Sequence, residues 1–175
     1  MAQPPQLLTL KRHRDLHGLF TAGVIARRVG YVVLTVFALL GLLNVFGQRP
    51  STATADAAPA RLELFAPSHL RGGLLYMARF EITAKQDLKK ATLVLDPGWA
   101  ENTQINTIEP SPTNETSENG RLSFELGPIK AGDSYLLFMQ FQINPTNVGR
   151  HSQNVELRDG ETHIATIHRT AMVFP

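Results

Sequence analysis

The feature that most constrains this chain is an apolar run, Val29–Phe46, of eighteen residues without a charged side chain. An α-helix of that length extends about 27 Å, close to the ~30 Å thickness of the hydrocarbon core of a bilayer. The adjoining uncharged residues lengthen the run slightly at each end. The sequence therefore predicts one transmembrane helix over residues 27–47.

Basic residues lie mainly on the N-terminal side of this run. Arg27 and Arg28 precede it directly, whereas Arg49 alone follows it closely. Because an excess of Lys and Arg marks the cytoplasmic flank of a membrane helix, Arg27 and Arg28 determine the predicted topology. We expect the N-terminus in the cytoplasm and the C-terminal part outside, on a chain that crosses the cytoplasmic membrane once.

A cleaved signal peptide is the alternative interpretation of the same run. Ala53-Thr54-Ala55 fits the small-residue pattern of a cleavage site, and cleavage would follow Ala55. Against cleavage, 28 residues precede the run, and eighteen apolar residues exceed the 7–15 usual for a signal core. A retained anchor is favoured, and the alternative stays open.

Residues 1–26 form a basic tail ahead of the run. Apolar side chains recur in it at helical spacing, at Leu16, Leu19, Phe20 and Val24. This pattern indicates a short amphipathic helix on the inner leaflet, where basic groups meet anionic lipid. A disordered basic tail is the equally weighted alternative.

The charge of the chain changes sign after the predicted anchor. Residues 1–55 carry a net charge of +5, and residues 56–175 carry −3. A mildly acidic domain does not attract nucleic-acid phosphates, so we expect no nucleic-acid partner. The chain has no cysteine, which excludes disulfides, thiolate metal ligands and cysteine nucleophiles.

Residues 48–60 are mostly small, hydroxylated or proline and include no large apolar side chain, a composition that predicts a linker. From Arg61 onward apolar residues alternate with polar ones, the period of half-buried strands. The alternation is clearest in one predicted strand whose buried row is Tyr135, Leu137, Met139, Phe141 and Ile143. Residues 61–175 are therefore predicted to form a mainly β domain outside the cytoplasm, an immunoglobulin-like antiparallel β-sandwich of seven to eight strands, with a closed barrel as the alternative.

Residues 127–157 carry a more specific pattern. A Gly-Pro-Ile strand end, an Ala-Gly-Asp turn, a long alternating strand and a polar turn at Gly149 follow one another. This arrangement resembles bacterial immunoglobulin-like domains of the conserved-repeat and cell-adhesion-related kind. The layout also resembles small single-pass bacterial envelope proteins, which implies a role beside a larger membrane protein and implies no catalytic residues.

Residues with metal-binding or catalytic chemistry are scattered. His163 and His168 are five residues apart, so on an unbroken strand they point to opposite faces. A shared metal site would need His69 or His151 from elsewhere, and ordinary exposed or hydrogen-bonded histidines are the favoured interpretation. The chain contains no nucleophile elbow or phosphate-binding glycine motif, and we expect no catalytic residue, cofactor, resident metal or small-molecule substrate.

Two predicted strands are apolar on both faces, which indicates that part of the second face is covered by a long loop, the membrane surface or a partner protein. The outward residues are Leu75, Met77, Leu136 and Phe138. Trp99, the only tryptophan, follows a turn, where it is either an interface anchor or a lid over the core.

These features predict a non-enzymatic accessory protein. One helix anchors it in the bilayer, and its exported domain docks onto a larger membrane protein or an envelope component. The alternative is an exported ligand-, glycan- or metal-binding module released by signal-peptide cleavage.

Overall fold

A computed structural model describes residues 9–43, 45 and 47–175, with side chains from residue 22 onward. The chain divides into two compact units, residues 1–46 and 47–175. The first contains α1, Thr9–Leu42. Since no proline interrupts this stretch, the predicted tail is helical from Thr9 and continues without a break into the apolar run.

Ala22–Leu42, with 21 residues, is long and apolar enough to cross a membrane. At 1.5 Å per residue it extends about 31 Å. Arg27 and Arg28 lie inside this helical segment, five and six residues from its start. Membrane anchors and signal sequences both contain such a helix. The end of the predicted span, up to residue 47, lies partly outside the described residues.

The second unit is mainly β. Thirteen strands follow one another: β1 Pro50–Asp56, β2 Ala60–Pro67, β3 His69–Arg71, β4 Leu75–Ala84, β5 Leu88–Leu95, β6 Thr103–Glu109, β7 Asn114–Glu118, β8 Arg121–Ile129, β9 Ser134–Ile143, β10 Gly149–Ser152, β11 Val155–Asp159, β12 Thr162–Ile167 and β13 Thr170–Phe174. A 3₁₀ turn, Pro97–Trp99, lies between β5 and β6. The sequence predicted only seven or eight strands. The shortest strands were missed because they are too brief to show an alternating pattern.

The strands form three sheets. The first sheet has the order β1-β2-β4-β9-β6, the second β12-β11-β5-β8-β7, and the small sheet β10-β13-β3. All neighbouring strands are antiparallel except β13 and β3, which run parallel. Antiparallel pairing through short turns explains why many strands alternate between a buried and an exposed face.

One hydrophobic core joins the inner faces of the three sheets. Four of the five residues of the predicted row on β9 are buried: Leu137, Met139 and Phe141 fully, and Ile143 nearly so. The fifth, Tyr135, is partly buried against the core. Its antiparallel neighbour β4 contributes Tyr76, Ala78, Phe80 and Ile82. From the opposite side, the second sheet contributes Leu93, Leu95, Phe124, Val155 and Leu157.

The region predicted to be a linker contains a strand. β1 pairs with β2 along its whole length, and Ala53 and Ala55 are partly buried against the core. The linker prediction is therefore wrong for residues 50–56. Small side chains gave no alternation of hydrophobicity, and the strand is instead stabilised by pairing with the apolar β2.

The turn that carries Trp99 depends on a close approach of two backbones. A side chain on Gly98 would place its Cβ 2.1 Å from the carbonyl oxygen of Ser152, so only glycine fits. Asp96 accepts hydrogen bonds from Ser152 Oγ at 2.9 Å and Asn154 Nδ2 at 2.7 Å. These contacts fix the turn against β10 and direct the tryptophan inward.

Candidate interaction surface

Trp99 lies in the core. Its side chain is fully buried, with ring centroids 5.5 Å from Phe80 and 5.3 Å from Phe141. Its indole nitrogen donates to the carbonyl oxygen of Asn154 at 3.2 Å. Trp99 therefore offers no surface to a partner and is removed from the predicted interface. The other interpretation of the sequence, a residue that covers the core, agrees with this position.

The four remaining interface residues lie on the outer face of the first sheet. Leu75 and Met77 on β4 are 49% and 55% exposed, and Leu136 and Phe138 on β9 are 38% and 37% exposed. Because β4 and β9 are adjacent, alternate residues on both strands point to the same side.

Phe65 adds a fifth apolar residue that sequence reasoning missed. It lies on β2, opposite Arg79 of β4, and Arg79 in turn lies opposite Phe138. The alternation that buries Leu62 and Leu64 already placed Phe65 on the outside. We call these five side chains the outer apolar face: Phe65, Leu75, Met77, Leu136 and Phe138.

Charged groups lie between and beside the members of the outer apolar face. The Arg79 guanidinium lies 5.2 Å from the centroid of the Phe65 ring, within range of a cation–π contact. Glu81 lies opposite Leu136, and Glu109 lies opposite Phe138. Arg79 therefore lies between Phe65 and Phe138 within the face, and both aromatic residues and arginine are enriched at protein–protein interfaces.

The second sheet presents a different outer face. Glu156 accepts hydrogen bonds from Arg121 at 2.7 Å and from Arg158 at 2.6 Å, and Lys90 pairs with Glu125 at 3.0 Å. Burial alone would raise the pKa of Glu156, but its bonds to Arg158 and Arg121 together outweigh burial and hold that pKa below its usual range. These five charged groups on the outer face of the second sheet are paired with one another.

An open groove runs between the edge strands β6 and β7. Its volume is about 560 Å³, and its apolar lining includes Ile105, Ile108, Leu122 and Phe124. Glu115 is its one charged side chain. The lining of this groove contains neither a paired acid and base nor a nucleophile beside a base. General acid–base catalysis needs the first arrangement, and covalent catalysis needs the second.

A buried polar cluster lies inside the domain. Gln153 Nε2 donates to the Tyr76 hydroxyl at 3.2 Å, and Arg169 donates to the carbonyl oxygen of Pro67. Burial raises the pKa of the Tyr76 hydroxyl far above its usual range and lowers the pKa of Arg169. A phenol that stays protonated is a poor general base. The hydrogen bond from Arg169 to Pro67 connects the turn before β13 with the end of β2, which is a structural role.

The histidines do not converge. His163 lies on β12 with Nε2 2.7 Å from Thr166 Oγ1, His69 lies on β3, and His151 lies on β10. Within the described part of the chain, no group of three His, Cys, Asp or Glu side chains is arranged to hold a metal ion.

Comparisons with known proteins give little further information. No family model matches the chain, and no curated protein matches it. Among solved structures, the chain is similar to a GH20 exo-β-N-acetylglucosaminidase from Vibrio harveyi in complex with N-acetylglucosamine. The match has 13% identity and a TM-score of 0.31, and covers 73% of this chain but 18% of that enzyme. At these values the likeness supports no conclusion about fold or activity.

Proposed function

We propose that this chain is a membrane-anchored, non-enzymatic interaction protein of the bacterial envelope. Its apolar helix stays in the cytoplasmic membrane, and its β domain, an immunoglobulin-like sandwich in this proposal, lies outside the cytoplasm. The domain docks through the outer apolar face onto a larger integral membrane protein or an envelope component. The observation that carries the proposal is this face, with five large apolar side chains at least 36% exposed on three adjacent strands.

The residues before and within the helix support the orientation. Arg27 and Arg28 favour a cytoplasmic N-terminus, and the domain after the helix carries a net charge of −3. The outer apolar face then belongs to the exported side, where a neighbouring membrane protein can reach it.

The position of Ala53-Thr54-Ala55 supports a retained helix. Cleavage after Ala55 would remove six of the seven residues of β1 and expose the edge of β2. An exposed edge strand invites aggregation, and Ala53 and Ala55 would no longer contact the core. The released binding module, the alternative function, would therefore start with a damaged first sheet.

Retention is tested by the mass of the mature protein. A chain tagged at both ends should be recovered from membranes with both tags and an intact N-terminus. Recovery of a product that begins at Asp56 would contradict the anchor and favour the released module.

Docking is tested by purification of the tagged chain in mild detergent. A charge on the outer apolar face, as Leu136→Asp or Phe138→Asp, should abolish stoichiometric recovery of a partner membrane protein while the chain stays folded. Thr116→Asp, at an exposed position on β7 of the second sheet, is the matched control and should leave recovery unchanged.

Two outcomes would contradict docking through this face. One is that the wild-type chain is recovered alone and monomeric. The other is that the Thr116 variant loses the partner to the same extent as the Leu136 and Phe138 variants. If both face variants unfold, the face belongs to the internal core instead.

A further inference from the structure

A second exposed surface lies at one end of the β domain, formed by the outer side of the small sheet and by the connections β3–β4 and β9–β10. Leu74, Val148 and Phe174 are 48%, 52% and 41% exposed there. Arg71 on β3 lies beside Phe174 on β13, and Arg150 on β10 is exposed on the same side of the sheet. We call these five residues the basic apolar end.

Backbone contacts hold this end in one shape. The amide of Gly72 donates to the carbonyl oxygen of Phe174 at 2.8 Å, and the amide of Gly73 donates to that of Ile143 at 3.0 Å. The amide of Ile143 donates in turn to the carbonyl oxygen of Leu74 at 3.1 Å. A surface that is fixed before binding loses little conformational freedom when it binds.

The charge of this end is opposite to that of the domain. Residues 68–75, 143–152 and 169–175, which form it, contain three arginines and no Asp or Glu, although residues 56–175 carry −3 overall. Neither Arg71 nor Arg150 makes an ion pair with any acidic side chain that the structure describes. Glu101 lies 3.8 Å from His151 of β10, and the side chain of His151 points to the face of the sheet opposite that of Arg150.

The chain also enters the domain at this end. Pro50, the first residue of β1, pairs with Pro67, and β3 begins two residues after Pro67. Seven residues separate Leu42 from Pro50 in the sequence. A tether this short gives the lipid headgroups a high effective concentration at the β domain.

We propose that the basic apolar end binds the surface of an anionic bilayer. Arg71 and Arg150 contact phosphate groups, while Leu74, Val148 and Phe174 enter the headgroup region, as basic and apolar side chains do in peripheral membrane binding. This inference rests on the retained anchor of the proposed function and does not depend on the partner protein.

The test uses the full chain in nanodiscs, without any partner. Because the chain has no cysteine, Val148→Cys allows a single environment-sensitive fluorophore. Ala131→Cys carries the same label at the opposite end, where β8 joins β9. Quenching by headgroup-labelled lipid is compared in discs of phosphatidylcholine alone and of phosphatidylcholine with phosphatidylglycerol.

We expect strong quenching at position 148 in the anionic discs, and weak quenching at position 131 in both kinds of disc. Arg71→Glu together with Arg150→Glu should lower the docked population by roughly an order of magnitude or more. Lys89→Glu together with Lys130→Glu, at exposed positions elsewhere in the domain, is the matched charge reversal and should have no effect.

Three results would overturn the proposal. Equal quenching at positions 148 and 131 would show that this end is not oriented toward lipid. Equal quenching at position 148 in neutral and anionic discs would exclude recognition of anionic headgroups. An unchanged signal in the arginine variant would exclude Arg71 and Arg150. Because no partner is present, each result is independent of whether the outer apolar face docks on a protein.

Discussion

The two five-stranded sheets share one core but differ on their outer faces. The first sheet exposes large apolar side chains, of which Met77 is 55% exposed. The second sheet carries ion pairs that satisfy one another, with Glu156 between Arg121 and Arg158. Paired charges suit a sheet that faces only water, whereas exposed apolar side chains add nothing to the stability of such a sheet. The difference is what the proposed docking of the first sheet onto a partner predicts, with the second sheet left to solvent.

The largest expected effect is the difference in free energy of unfolding between substitutions on the inner and the outer face of the first sheet. Leu137 is fully buried, whereas its neighbour Leu136 is 38% exposed. Leu137→Ala should lower the free energy of unfolding by about 2–5 kcal/mol, because it leaves a cavity in the core. Leu136→Ala should change it by less than about 1 kcal/mol. Urea unfolding followed by the fluorescence of Trp99 measures both, and equal losses would show that the outer apolar face is structural.

The next effect tests the paired face of the second sheet. Glu156→Gln should cost about 1–3 kcal/mol at pH 7, because two arginines lose a charged acceptor in a place with little water. Since the pKa of Glu156 is lowered in the folded state, its contribution is present above the usual value near 4.5 and is lost as pH falls through the folded pKa. The variant should therefore lose less stability than the wild type between pH 7 and pH 3.

Glu118→Gln is the matched control for this pH dependence. Glu118 lies at an exposed position on β7. Its substitution should leave both the stability at pH 7 and the loss in acid unchanged, within about 0.5 kcal/mol. An equal effect of the two substitutions would mean that the Glu156 pairs contribute no more than a solvated carboxylate.

How much of this could be predicted from the sequence depends on how local each signal is. On β9 the alternation of Leu137 and Met139 with Leu136 and Phe138 fixes both faces, because the period of a strand is a local property. β1 gave no such signal, since its inward side chains are only alanines. The buried place of Trp99 depends on Phe80 and Phe141, which are distant in sequence.

The turn between β7 and β8 has a readable signal in the sequence. Asn119 and Gly120 both have positive φ, 51° and 77°, and join β7 to β8. Asn-Gly between two strands is a strong indicator of a hairpin with this conformation. β7 itself has no buried side chain, so its sequence shows no alternation that would have predicted it.

The smallest expected effects on stability come from one substitution on the outer face of each five-stranded sheet. The two substitutions should differ in their response to salt. Arg79→Gln removes the contact with Phe65 and should cost about 0.5–1 kcal/mol. Lys90→Gln removes an exposed ion pair with Glu125 and should cost no more than about 1 kcal/mol. At 1 M salt the screening length falls to about 3 Å, so the cost of Lys90→Gln should disappear. The cost of Arg79→Gln should largely remain, because a guanidinium packed on a ring also loses apolar contact.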